Sequence, residues 1–201
     1  MAELSTAPGT PLVRLAGVGK RFGAVVALRS VDLDVHAGEI VALVGDNGAG
    51  KSTLLKIIAG VHPPSHGEIL LDGEPVRMAT PSDARAHGIE VVYQDLALAD
   101  NQPVYMNLFL GRELVRGPLR RLDRARMAAE TAELLKELDI RIPSPRVPIR
   151  ALSGGQRQRV AIARATHWGE RLILMDEPTA ALGVQETARV EGTILRMKER
   201  G

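Results

Sequence analysis

Three short runs of residues could do chemistry together. The first, Gly45-Asp46-Asn47-Gly48-Ala49-Gly50-Lys51-Ser52, followed by Thr53, fits the spacing G-x-x-x-x-G-K-[ST] at every fixed position. Its glycines let the backbone curl until successive N–H groups point at phosphate oxygens, and a helix starting there adds its positive end. Lys51 then reaches the β- and γ-phosphates, and the Ser52 hydroxyl is placed to ligate Mg²⁺. The second run ends the apolar stretch Leu172-Ile173-Leu174-Met175 in Asp176-Glu177-Pro178-Thr179. Two carboxylates at the end of a buried strand put Asp176 on Mg²⁺ and leave Glu177 to take a proton from water. The third is Leu152-Ser153-Gly154-Gly155-Gln156-Arg157-Gln158. Ser-Gly-Gly opening a helix is a second anion-binding N-terminus, although Ser153 alone would serve as an ordinary N-cap. Together the runs imply a nucleoside triphosphate, ATP or GTP, and a way to hydrolyse it.

Particular elements must hold these residues. Glu39–Val44 reads as a buried strand feeding the loop, and Ser52–Ala59 as a helix leaving it, stopped by Gly60. Residues from Leu12 to about Val76 alternate β-branched and polar positions, with Asp72-Gly73 a hairpin signal. Ile89–Tyr93 is another buried strand, ending at Gln94. Helical periodicity runs from Leu96 to Ile142. There Ala125, Ala128, Ala132, Leu135 and Leu138 share one face of a helix that Asp123 can cap. Pro143, Pro145 and Pro148 stiffen the passage into the Ser-Gly-Gly segment. Val184–Arg200 reads as a closing helix with Val184, Ala188, Val190, Ile194 and Met197 on its apolar side, stopped by Gly201.

Composition narrows the class. The 201 residues suffice for one α/β domain with a sizeable core. No run approaches about 18 uncharged apolar residues, so none is expected to span a membrane. Met1–Thr10 lacks a basic region followed by an apolar stretch, and no signal peptide is expected. The absence of cysteine excludes disulfides and cysteine-held zinc and fits a reducing compartment. A net charge of +2 is too small to imply nucleic acid. The local exception is the cluster Arg112, Arg116, Arg120, Arg121, Arg124 and Arg126, read as a solvated helical face or as a contact for anionic lipid headgroups. The five histidines show no metal-ligand spacing, and Trp168 reads as a packing anchor.

Gly45–Thr53, Gln94, Leu152–Gln158 and Leu172–Thr179, in this order, resemble the nucleotide-binding subunit of an ATP-binding cassette (ABC) transporter. The resemblance runs from about Val13 to the end, and Leu-Ser-Gly-Gly-Gln is its specific part. Asp176–Val184, Tyr93–Leu96 and Asn107–Glu113 are similar to the single-domain ATPases of fructose- and ribose-type monosaccharide importers. The fold it implies is a three-layer α/β P-loop core with an antiparallel β subdomain and a helical subdomain. Residues 12–95 would be β subdomain and P-loop core, 96–150 the helical subdomain, and 151–201 the signature helix, the carboxylate strand and the following helix. The ligands implied are ATP and Mg²⁺, with Ser52, Gln94 and Asp176 on the metal and Glu177 and Gln94 at the reacting water. Phe22 sits where the family stacks an aromatic on adenine. Ser153, Gly154, Gly155 and Gln156 would close on the ATP of a second ATPase subunit in a head-to-tail dimer. The further partners implied are a transmembrane permease, met through Leu96–Gly111, and indirectly a periplasmic or extracellular sugar-binding protein. No nucleic acid is expected, and the place implied is the cytoplasmic face of the cell membrane.

The chain departs from the family at two points. Ala180-Ala181-Leu182-Gly183 stands where the family usually carries Ser-Ala-Leu-Asp, whose Asp crosses the dimer interface. The family also continues past this helix with a central strand and a histidine that contacts the γ-phosphate. The sheet is therefore expected to have a gap at its centre, and the chain to be incomplete. Two other readings stand beside the importer: a soluble ABC ATPase acting on ribosomes or DNA, and a nucleotide-binding module inactive in hydrolysis.

Overall fold

The structure is a computed structural model that describes residues 9–168, 171–180 and 182–199. The expectations on Met1–Pro8, Ala181, Arg200 and Gly201 fall outside the described residues. The chain forms two compact units, which divide between Ile89 and Glu90.

The first unit is built on an antiparallel sheet in the order β2-β1-β3-β4. Its strands are β1 (Val13–Phe22), β2 (Val25–Val35), β3 (His66–Leu71) and β4 (Glu74–Val76). Val13, Leu15 and Val18 of β1, with Ile69 and Leu71 of β3, are buried on one side. Val13 pairs with both Val35 and Leu71, so β1 is an interior strand of this sheet. The Asp72-Gly73 signal holds: both residues have positive φ, 51° and 85°, and join β3 to β4 as a two-residue hairpin. Helix α1 (Lys51–Ile58) follows the glycine-rich loop and buries Leu54, Ile57 and Ile58. Gly60, at φ 71°, ends it as expected. Helix α2 (Pro81–Ala86) is held by a capping box between Thr80 and Asp83.

Glu39–Val44 is not a strand. Ile40, Val41, Leu43 and Val44 are exposed, Val44 to 93%, and no ladder partner flanks the segment among the described residues. A mostly apolar run with Ile40, Val41 and Val44 does not make a strand alone, because the ladder bonds and the buried face come from neighbours.

The second unit pairs β5 (Ile89–Val92) with β8 (Leu172–Met175) and surrounds them with helices. These are α3 (Val104–Leu108), α4 (Arg124–Glu137), α5 (Gly154–Trp168) and α6 (Val184–Glu199). The stretch 96–142 is not helical throughout. A small hairpin, β6 (Val115–Arg116) with β7 (Arg121–Leu122), interrupts it where Gly117 and Pro118 disfavour a helix. Asp123 caps α4 as expected, its Oδ1 accepting from the Arg126 N–H at 3.1 Å. The buried face of α4 differs from the expected one. It is Met127, Ala128, Thr131, Leu134 and Leu135, with Leu138 at the cap, whereas Ala125 and Ala132 are exposed. The i, i+3, i+4, i+7 stripe is set by the bulkier residues, and the alanines lie beside it. On α6, Val190 is buried, while Val184 and Ala188 are exposed. Phe109, Ile149, Leu152 and Val160 complete the helical core. Trp168 anchors its edge, donating from Nε1 to the Leu108 carbonyl at 2.7 Å.

Candidate functional site

The phosphate loop is shaped by backbone conformation. Gly48 and Gly50 have φ of 85° and 90°, and the Ala49 N–H donates to the Asp46 carbonyl at 3.1 Å. Gly50 has a second reason to be glycine. A Cβ there would lie 2.6 Å from Leu28 Cδ2 and 2.7 Å from the Ala27 carbonyl oxygen of β2. Helix α1 starts at Lys51 with no side-chain hydrogen bond at its N-cap. Orphan N–H groups at such a helix start are a ready site for an anion. Lys51 Nζ donates to the carbonyls of Gly45, at 2.6 Å, and Asp46, at 2.9 Å, which holds its ammonium over the start of the loop. Asn47, Ser52 and Thr53 complete the run, Asn47 at the turn and the other two inside α1. Phe22, in the same unit, ends β1 and is 44% exposed. Its ring meets His62 edge-on at 5.3 Å, and Lys20 Nζ lies 5.1 Å from its centroid. Neither neighbour stands out in the sequence. Lys20 is held by the Pro63 carbonyl, 43 residues away.

The second unit brings together Gln94, Asp176 and Glu177. The Asp176 N–H donates to the Val92 carbonyl at 2.9 Å, so the residues after β5 and after β8 leave the same end of that pair. Asp176 is half-buried; Gln94 and Glu177 are exposed. Glu177 has φ 50°, a left-handed conformation that costs a non-glycine residue about 1–3 kcal/mol and tends to cluster at active sites. Its carbonyl accepts from the Ala180 N–H at 3.0 Å, closing a turn that carries the carboxylate out of the strand.

The signature helix α5 is held by side chains. The Ser153 N–H donates to Gln156 Oε1 at 2.9 Å, and the Gln156 N–H donates to Ser153 Oγ at 3.3 Å. This reciprocal capping box is legible in the spacing Ser-x-x-Gln. Gln156 Nε2 also donates to the Arg141 carbonyl at 3.1 Å. Gly155 is buried, and a Cβ on it would lie 3.0 Å from Glu186 Oε1 of α6. Gly154 has more room, with Leu182 Cδ2 at 4.0 Å. Two arginines of α5 also escaped sequence reasoning. Burial pulls both guanidinium groups below their ordinary value, and Arg189 adds to this at Arg159. Arg164 donates to the carbonyls of Leu96 and Ala97 at 2.9 Å each, which ties the signature helix to the segment that follows Gln94. Only the alternation of arginine with apolar residues along α5 hinted at this.

A phosphate loop, a strand ending in two carboxylates and a Ser-Gly-Gly-Gln helix start define a P-loop ATPase of the cassette class. The ABC transporter family profile matches residues 28–180. The chain is 48% identical over 190 residues to the xylose/arabinose import ATP-binding protein XylG of Sulfolobus acidocaldarius, covering 94% of this chain and 75% of that one. It is 46% identical over 198 residues to the fructose import ATP-binding protein FrcA of Rhizobium meliloti, covering 95% of this chain and 76% of that one. In three dimensions it superposes with a TM-score of 0.83 and 25% identity on the ADP conformation of MJ1267, an ATP-binding cassette of an ABC transporter, covering 95% of this chain and 78% of that one. A dimeric post-hydrolysis state of the cassette MJ0796, bound to ADP and Pi, superposes with a TM-score of 0.73 and 28% identity, covering 94% of this chain and 83% of that one. The chain belongs to the ABC transporter family, as one of its ATP-binding, ATP-hydrolysing cassettes.

Proposed function

We propose that this chain is the ATPase subunit of an importer that takes up a monosaccharide. The two import ATP-binding relatives support the direction of transport and the substrate class. The partners in this reading are a transmembrane permease, indirectly a sugar-binding protein outside the membrane, and a second ATPase subunit, for which the dimeric cassette is the precedent. The place is the cytoplasmic side of the membrane; among the described residues no helix is long and apolar enough to cross it. The division into 12–95, 96–150 and 151–201 belongs to the same proposal.

The observation that carries the chemistry is Glu177 turned out of β8 beside Asp176, in a chain that also holds the left-handed glycine loop at Gly45–Thr53. Lys51 and the loop amides hold the phosphates, and Phe22 stacks on the adenine. Ser153, Gly154, Gly155 and Gln156 face the γ-phosphate held by the second subunit. The hydroxyl of Ser52, the amide oxygen of Gln94 and the carboxylate of Asp176 are the hard oxygen donors that Mg²⁺ prefers, which fits these residues to that ion. When bound, Mg²⁺ neutralises charge on the β- and γ-oxygens. Glu177 accepts the proton of the attacking water, and Gln94 orients that water. Glu177→Gln keeps the size but removes the proton acceptor. Turnover of the subunit assembled with its permease should fall roughly 10²–10⁴-fold while Mg-ATP binding persists. A phosphate-release assay beside nucleotide titration reads both, and a near wild-type rate would remove Glu177 from this role. Uptake of labelled pentoses and hexoses into vesicles carrying the assembled importer tests the substrate class.

A further inference from the structure

The hairpin β6–β7 has a surface that ATP chemistry does not explain. Leu119 at its tip is 73% exposed, and Val115 and Leu122 lie opposite one another and are also exposed. Arg116 lies directly across from Arg121, a like-charge cross-strand pair that opposes the hairpin unless an anion covers it. Arg124 occupies the first turn of α4, next to the capping Asp123, at an end where the helix dipole disfavours a cation. Arg116, Arg120, Arg121 and Arg124 are all exposed. Neighbouring carboxylates are engaged elsewhere: Glu113 accepts from the Gly111 N–H, Asp123 caps α4, and Glu130 pairs with Arg126. At the tip, Pro118 lies inside a turn closed by the Arg120 N–H on the Gly117 carbonyl at 3.1 Å. The base is fixed by the Asp123 N–H on the Leu114 carbonyl at 2.7 Å and by Leu114 packing on the helical core.

We propose that this hairpin is a membrane-contacting finger that recognises anionic phospholipid headgroups. Leu119 enters the interfacial layer tip first, and Arg116, Arg120, Arg121 and Arg124 meet the phosphates around it. An acidic protein groove would account for the arginines, but a bare leucine at the apex, with an arginine on the next residue, fits the layered polarity of a bilayer surface. The inference uses the transporter reading only to place the chain beside a membrane.

Co-sedimentation of the full chain with vesicles tests it, using phosphatidylcholine alone and phosphatidylcholine mixed with phosphatidylglycerol. The chain should pellet with the anionic vesicles and be released by high salt. Each arginine near such a surface contributes on the order of fivefold in affinity. Arg120→Ala with Arg121→Ala should therefore weaken binding about 25-fold, while Arg120→Lys with Arg121→Lys should largely retain it. Leu119→Ser, which leaves the charge unchanged, should weaken it severalfold. Equal binding to both vesicle types, indifference to these variants, or capture by polyglutamate with none by vesicles would overturn the proposal, the last in favour of an acidic protein partner. Mg-ATP titration of the same variants should be unchanged. Vesicle binding that fails while Mg-ATP binding persists overturns the finger and leaves the ATPase reading standing.

Discussion

The two helix starts proposed to meet phosphate in this chain are built in opposite ways. At α1 the backbone is bent by left-handed glycines, and the N-cap is Gly50, which has no side chain to cap with. At α5, Ser153 and Gln156 satisfy each other's backbone N–H groups, and Gln156 reaches on to Arg141. The first is a cradle whose amides keep their capacity for a ligand. The second is a helix start pinned by its own side chains at Ser153 and Gln156, and its dipole, its glycine backbone and the Ser153 hydroxyl are what it can present to a phosphate. In the proposed reading, a loop that grips and a loop that closes on what is gripped require this difference. Strong donors belong in the first, and a rigid, self-consistent edge in the second.

The comparison predicts unequal effects of mutation. The largest is expected at Lys51. Lys51→Ala removes a charged donor to the phosphates, worth about 1.5–3 kcal/mol for such a bond, and should weaken Mg-ATP binding roughly 10- to 100-fold by fluorescent-nucleotide titration. Unchanged affinity would mean that the cradle grips by amides alone.

A smaller effect is expected at Gln156. Gln156→Ala removes half of the capping box and the tie to Arg141, and should lower stability by about 0.5–2 kcal/mol in denaturant unfolding. Mg-ATP affinity of the isolated chain should be unchanged, because the grip lies in the other unit. A loss of affinity comparable to that of Lys51→Ala would dissolve the distinction between the two starts.

The smallest is a pH effect behind the α5 start. Asp139 is held below the usual carboxylate range chiefly by its hydrogen bond with Arg196, with charge from Arg196 and Arg141 adding to it. A lowered folded value means that the unfolded chain binds the proton more tightly. The contribution is therefore complete above the ordinary carboxylate value and is lost as pH falls through the lowered one. The gap in melting temperature between wild type and Asp139→Asn should be present at neutral pH and close in acid. A gap constant down to strong acid would show that the arginine contacts contribute nothing.

Features that depend on a few neighbouring residues were legible in the sequence. Gly60 and Asp72-Gly73 needed only their own φ preferences, Asp123 only an N–H three residues on, and the loop Gly45–Ser52 only its spacing. Those constraints act within one turn of chain, so the order of residues determines them. Tertiary structure decided the rest. Glu39–Val44 has the composition of a buried strand and is not one, because ladder bonds belong to a pair of strands. The buried face of α4 shifted onto Met127, Thr131 and Leu134 because packing partners, and not apolar labels, choose the stripe. The Lys20–Phe22–His62 cluster and the grip of Arg164 on Leu96 and Ala97 join residues about 40 to 70 positions apart. No local rule encodes such contacts; they exist only once the chain has closed those loops and buried the surfaces between them.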